Sequence, residues 1–97
     1  MSYRFHPLAR VEHLEHVAYY ESQRVGLGAR YLAAFEKAME NICAAPHRYK
    51  AVGEGNRKYS LQGFPFDVFY QVTDDRVEVL AVAHHRRRPS YWIERSK

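Results

Sequence analysis

Two segments with helical periodicity meet at Gly26-Leu27-Gly28, and this junction constrains the fold more than any other feature of the chain. The first segment predicts a helix from Leu8 to about Val25 with a buried face of Leu8, Val11, Leu14 and Ala18. The opposite face is then charged, with Arg10, Glu12, Glu15 and Glu21. The second segment predicts a helix ending at Ala45, before Pro46, with a buried face of Leu32, Phe35, Met39 and Ile42. Helices joined by so short a connection pack as an antiparallel hairpin.

Alternating segments on either side of the hairpin predict strands. Tyr3–Phe5 is a short alternating stretch that Pro7 follows, which favours an edge strand. Beyond a polar loop that contains Gly53, Gly55 and Asn56, three further strands are predicted at Arg57–Leu61, Phe66–Val72 and Arg76–Ala83. Thr73-Asp74-Asp75 predicts a hairpin turn between the last two strands.

These elements predict an α+β fold in one domain that spans residues 1–97. Its order is a strand, a helical hairpin, a three-stranded antiparallel meander and a short basic C-terminal tail. The hairpin is expected to cover one face of the sheet and to leave the other face free for binding. On this model the strand that contains Arg57 and the tail can converge at one edge.

The tail holds the entire net charge of +4, because the first 83 residues contain ten basic and ten acidic side chains. Its sequence, HHRRRPSYWIER, places aromatic side chains among the cations. Arginine forks bind phosphate or carboxylate groups, and aromatic rings stack on bases or anchor in protein pockets. We therefore predict a surface that binds a target or an acidic partner, formed by Arg86, Arg87, Arg88, Tyr91, Trp92 and Arg95.

The same tail permits a catalytic interpretation. A neutral His84 would act as a base on a ribose 2′-hydroxyl, while arginines would stabilise the phosphorane and an acid would protonate the leaving oxygen. The residues of this metal-free ribonuclease hypothesis are Arg57, His84, Arg87 and Tyr91. The competing interpretation is that one histidine of the His84-His85 pair is a structural hydrogen-bonding group and the other is exposed.

Other candidate chemistries lack the residues that they require. His13 and His16 share a helix, but no third metal ligand accompanies them, so surface or capping roles and no metal are predicted. The glycines at the helix junction do not follow a strand, so no nucleotide or other cofactor is expected. Cys43 is the single cysteine, which favours core packing and a cytoplasmic location, and no membrane span or signal peptide is predicted.

Three stretches resemble the RelE/ParE superfamily of type II toxin–antitoxin toxins: AYYESQRVGLGARYLAAFEKAMENICAAP, RKYSLQGFPFDVFYQV and VLAVAHHRRRPSYWIER. The likeness covers nearly the whole chain. The FPF segment before a tyrosine-containing strand, together with the His-x-x-Arg-x-Pro-x-Tyr-Trp ending, is closer to ParE-like toxins than to RelE-like nucleases. The resemblance implies the same strand and helix order that the periodicity predicts.

The resemblance also implies a biological role. A ParE-like toxin would inhibit DNA gyrase by protein binding, and such modules are associated with plasmid stabilisation. The alternative is a RelE-like mRNA interferase that cleaves mRNA on the ribosome without a metal, in which Arg57, Arg87 and Tyr91 match the family's arginine and tyrosine positions. Both roles imply a cognate antitoxin that folds on the basic toxin, in a toxin–antitoxin hetero-oligomer.

Overall fold

The two helices form on either side of the glycine break. The computed structural model describes residues 1–88 and 90–96, with helix α1 at Pro7–Gln23 and helix α2 at Leu27–Ala44. Pro7 lies in the first turn of α1, where its missing N–H leaves no hydrogen bond unmade. Gly26 has a φ of 90°, a left-handed conformation that lets the chain reverse direction between the helices. Among the described helices, none is both long and apolar enough to cross a bilayer.

The strands form one five-stranded sheet. They are β1 (Tyr3–Phe5), β2 (Lys50–Gly53), β3 (Asn56–Ser60), β4 (Phe66–Thr73) and β5 (Arg76–His84). Their order across the sheet is β1-β5-β4-β3-β2, with β1 parallel to β5 and the other neighbours antiparallel. The predicted α+β fold is therefore confirmed, including an edge position for β1 and a central position for the apolar strand β5.

Strand β2 was not predicted, because it lies in the segment expected to be a polar loop. All four of its residues are exposed, so its sequence carries no alternation between buried and exposed positions. Its strand geometry comes from its pairing with β3, in which Lys50 lies opposite Lys58. The meander therefore has one strand more than the sequence pattern indicates.

Helix α1 packs against the rest of the domain through the face opposite to the predicted one. Leu8, Val11 and Leu14 are 53%, 52% and 46% exposed, and Ala18 is also exposed. The inward positions of the helix are Ala9, His13, His16, Val17 and Tyr20. The predicted face was wrong because hydropathy scales count imidazole and phenol rings as polar. In this helix those rings pack against the aromatic core.

The inward face of α1 meets the aromatic core between the helices and the sheet. The ring of His13 lies 4.2 Å from that of Phe35, and its Nδ1 is 3.1 Å from the hydroxyl of Tyr31. The His16 ring lies 4.2 Å from that of Phe66, and its Nε2 donates a hydrogen bond of 2.8 Å to the carbonyl of Val82. His13 is thus buried and His16 half-buried, both with hydrogen-bond partners, in contrast to the predicted surface or capping roles.

The other face of the sheet is partly covered by the C-terminal segment. A bulge at Leu80 interrupts the pairing of β5 with β4, so that Leu80 and Ala81 both pack on this face. Trp92 covers them and is only 4% exposed. Ile93–Ser96 form a 3₁₀ helix, and the predicted tail residues Pro89 and Lys97 lie outside the described residues. The tail therefore folds back onto the sheet, and this face is not free as predicted.

Candidate functional site

The C-terminal segment is held in place by Glu12, a residue of α1. Its carboxylate accepts hydrogen bonds from the Tyr91 hydroxyl at 2.9 Å, the Arg95 guanidinium at 2.9 Å and the Val82 N–H at 3.2 Å. Arg95 also donates to the carbonyl of Leu80 at 2.9 Å. The side chains of Glu12 and Arg95 are each 12% exposed. Arg95, predicted as a binding residue, is therefore engaged in an internal ion pair in this conformation.

The two aromatic side chains predicted to bind a partner are also engaged within the protein. Two guanidinium groups contact the Tyr91 ring, that of Arg87 at 4.0 Å and that of Arg95 at 5.1 Å from the ring centroid. Burial, together with the hydrogen bond to Glu12, raises the pKa of Tyr91 to about 12, so its hydroxyl stays protonated at neutral pH. The indole of Trp92 stacks on Phe69 with 4.5 Å between ring centroids.

Arg86, Arg87 and Arg88 remain exposed where β5 ends. A hydrogen bond of 2.8 Å from the Arg87 N–H to the His84 carbonyl closes a turn there. The Arg86 N–H donates to Nδ1 of His84 at 3.0 Å, which fixes one nitrogen of that imidazole as an acceptor. The three arginines are thus presented by a hydrogen-bonded turn at the end of a buried strand.

Beside this turn lies a cationic cavity of about 220 Å³. It is lined by basic side chains and aromatic rings, among them Lys58, His84, His85, Arg87, Arg88 and Tyr91. Asp67 is the one carboxylate among its described lining residues, and it lies 3.9 Å from the Lys58 ammonium and 3.1 Å from the His85 ring. The cavity therefore carries an excess of positive charge and suits an anionic group.

Arg57 lies on the opposite face of the sheet from this cavity. In the β3–β4 register Arg57 pairs with Tyr70 and Lys58 pairs with Phe69, so neighbouring strand residues point to opposite faces. The Arg57 guanidinium donates a hydrogen bond of 2.8 Å to the carbonyl of Tyr49. The predicted strand therefore does meet the tail, but through Lys58, and Arg57 does not join the tail residues with which the ribonuclease hypothesis groups it.

The structure thus brings together only part of the ribonuclease set. His84, Arg87 and Tyr91 line one cavity, but the Tyr91 hydroxyl donates to Glu12 and Arg57 is absent from it. Sequence reasoning missed Lys58, which the two-residue period of a strand would have placed opposite to Arg57. It also treated Glu12 as an exposed helix acid, and no local signal reveals a contact with a residue 83 positions away.

The sequence matches the family model described as the ParE toxin of type II toxin–antitoxin system, parDE, over residues 3–89. No curated protein matches it significantly. Among solved structures, the chain is similar to one described as the chromosomal ParDE TA system from P. aeruginosa, with 17% identity and a TM-score of 0.64 over 87% of this chain and 95% of that one. It is also similar to the isolated E. coli RelE toxin, with 20% identity and a TM-score of 0.61 over 99% and 98% of the two chains.

Proposed function

Because the chain belongs to the ParE toxin family of type II toxin–antitoxin modules, we propose that it inhibits DNA gyrase by binding to it. Membership of this family implies a cognate antitoxin as partner. Inhibition would take place in the cytoplasm, and the antitoxin would relieve it by covering the basic surface. The module would stabilise a plasmid that carries it.

The observation that supports this proposal is the turn that exposes three arginines. The cavity beside this turn contains only part of the residue set that the ribonuclease hypothesis requires. Arg86, Arg87 and Arg88 are exposed at this turn and can meet an acidic protein surface, as the rim of an interface requires. By contrast, the Tyr91 hydroxyl donates its hydrogen bond to Glu12, and Arg57 lies on the face of the sheet opposite to the cavity. This arrangement favours recognition through charge over general acid–base catalysis.

Supercoiling by purified gyrase in the presence of the purified toxin tests the proposal. We expect inhibition by the wild-type chain and a loss of about tenfold or more in potency when Arg86, Arg87 and Arg88 are all replaced by alanine, since interface charges contribute on this scale. The matched control replaces three other exposed arginines, Arg24, Arg30 and Arg48, and should inhibit as the wild type does. Normal supercoiling at a stoichiometric excess of wild-type toxin would contradict gyrase as the target.

A second candidate is ribosome-dependent mRNA cleavage. It is favoured by one observation, the presence of Lys58, His84 and Arg87 around a cavity that suits a phosphate group. Primer extension on cellular mRNA after toxin induction distinguishes the two functions. New cleavage ends that disappear in the His84→Ala variant would support the nuclease, whereas growth arrest without new ends supports gyrase inhibition.

A further inference from the structure

Among the three exposed arginines at the end of β5, Arg87 differs from its neighbours because its side chain packs on an aromatic ring. Its guanidinium carbon lies 4.0 Å from the centroid of the Tyr91 ring, a distance at which a cation and an aromatic face attract each other. Within residues 1–88 and 90–96, the side chains of Arg86 and Arg88 make no ring contact, ion pair or hydrogen bond. The three arginines therefore carry the same charge but differ in how far their side chains are fixed before binding.

The Tyr91 ring is itself held by Glu12. The Tyr91 hydroxyl donates a hydrogen bond of 2.9 Å to Oε2 of Glu12, and Oε1 of the same carboxylate accepts one of 3.2 Å from the Val82 N–H. Val82 is a buried residue of the central strand β5, so the carboxylate is bonded to the backbone of the sheet. The position of the Arg87 guanidinium thus depends on a chain of contacts that runs from β5 through Glu12 and Tyr91.

The N–H donors of Arg87 remain available for a ligand. Arg87 lines the cationic cavity, to which Lys58 contributes a second cation. Asp67, the carboxylate of the described lining, contacts Lys58 and His85, and no described residue accepts a hydrogen bond from the Arg87 side chain. A guanidinium placed in this way can bind a carboxylate through two parallel N–H donors.

A side chain that is ordered in the free protein binds at a lower entropic cost. Ordering one long side chain on binding lowers affinity by about two- to twelvefold. Arg86 and Arg88 lose their side-chain freedom only when they bind, whereas Arg87 has already lost much of it.

We propose that Arg87 dominates the binding of a carboxylate from an acidic partner protein, and that Glu12 positions it through Tyr91. Arg86 and Arg88 then contribute long-range attraction. This inference rests on the proposed recognition of an acidic protein surface, but it does not require that the protein is gyrase.

Binding of a fluorescein-labelled hexaglutamate peptide to the full-length chain, measured by fluorescence anisotropy, tests the proposal without gyrase. Arg86→Ala, Arg87→Ala and Arg88→Ala each remove one positive charge from the same turn, so the difference between them reports on side-chain geometry. We expect about tenfold weaker binding for Arg87→Ala and about twofold weaker binding for each of the others. Equal losses in the three variants would overturn the dominant role of Arg87.

A double-mutant cycle with Tyr91→Phe separates positioning from any other role of Tyr91, because this variant removes only the hydroxyl that bonds to Glu12. We expect about threefold weaker peptide binding in the wild-type background and no further loss in the Arg87→Ala background. The matched control is Tyr19→Phe, at an exposed tyrosine of α1, which should bind as the wild type does. The same loss in both backgrounds, or none in either, would overturn the positioning role.

The ¹⁵N relaxation of the arginine Nε–H groups provides a measurement that needs no variant. In the free wild-type protein the Arg87 group should be more ordered than those of Arg86 and Arg88. Equal mobility would overturn the proposal even if Tyr91→Phe failed to fold. Normal supercoiling in the presence of the wild-type chain would contradict gyrase as the target, while the peptide measurements would still decide the role of Arg87.

Discussion

Replacing Glu12 with alanine should detach the C-terminal segment from the domain. The substitution removes the acceptor for three hydrogen bonds, from Val82, Tyr91 and Arg95. The Arg95 guanidinium, 12% exposed, would lose its carboxylate partner and keep its hydrogen bond to the Leu80 carbonyl. Breaking a buried ion pair by removing one partner costs roughly 3–5 kcal/mol, and the remaining exposure of both side chains favours the lower end, about 3 kcal/mol.

The magnitude is measurable, because a loss of about 3 kcal/mol in a domain of this size lowers Tm by roughly 10–20 °C. Trp92 is the single tryptophan, so its fluorescence reports on the C-terminal segment while far-UV circular dichroism reports on the whole domain. In guanidinium chloride, we expect the fluorescence transition of Glu12→Ala to precede the circular dichroism transition. In the wild-type chain the two transitions should coincide.

The matched control is Glu15→Ala, an exposed acid on the same helix, which should change the free energy of unfolding by less than about 0.5 kcal/mol. A double-mutant cycle with Arg95→Ala isolates the ion pair, and the second substitution should cost little once Glu12 is gone. A cost below about 1 kcal/mol for Glu12→Ala, with both transitions at their wild-type midpoints, would refute the anchoring role of this carboxylate.

Three further variants test the packing of the helices. Leu14→Asp should change the free energy of unfolding by about 0.5 kcal/mol or less in thermal denaturation, because this side chain faces solvent. A loss above about 2 kcal/mol would show that Leu14 is buried, as hydropathy predicts. Burial lowers the pKa of His13 to about 4, so its contribution to stability is complete above pH 6.5 and is lost as the pH falls towards 4, by roughly 3 kcal/mol. Replacing both His13 and Tyr31 by phenylalanine should make the free energy of unfolding less dependent on pH over that range. An unchanged slope would show that other groups cause the pH dependence. Gly28→Ala should destabilise by about 1 kcal/mol despite the higher helix propensity of alanine, because its Cβ would lie 3.0 Å from the Val17 carbonyl, and a higher Tm would show that the helices separate without cost.

The elements that sequence reasoning predicted correctly are those whose apolar side chains are aliphatic or lie in clear periods. The stripe of Phe35, Met39 and Ile42 is buried as predicted, and β5 is central because it is apolar on both faces. The predicted face of α1 was wrong because the helix packs through His13 and Tyr20, whose rings contact the core despite their polar atoms. Strand β2 was missed because an exposed edge strand has no burial pattern to reveal it.

The basic tail shows the same division between local and long-range information. Its charge, its aromatic content and the exposure of Arg86, Arg87 and Arg88 follow from local sequence. The engagement of Arg95 and Tyr91 by Glu12 depends on the packing of α1 against the end of the chain. No pattern within either segment encodes that contact.

By itself, the sequence determined the order of helices and strands in the α+β fold and the concentration of positive charge at the C-terminus. It also carried the resemblance to ParE-like toxins, which the family match confirms. Those properties depend on composition and on periods of two and 3.6 residues, which act over short distances along the chain. Only the tertiary structure decided which cations share a cavity and which are engaged in internal bonds. Strand register places Lys58 and Arg57 on opposite faces, and the partly buried Glu12 carboxylate binds the cation that packing brings to it.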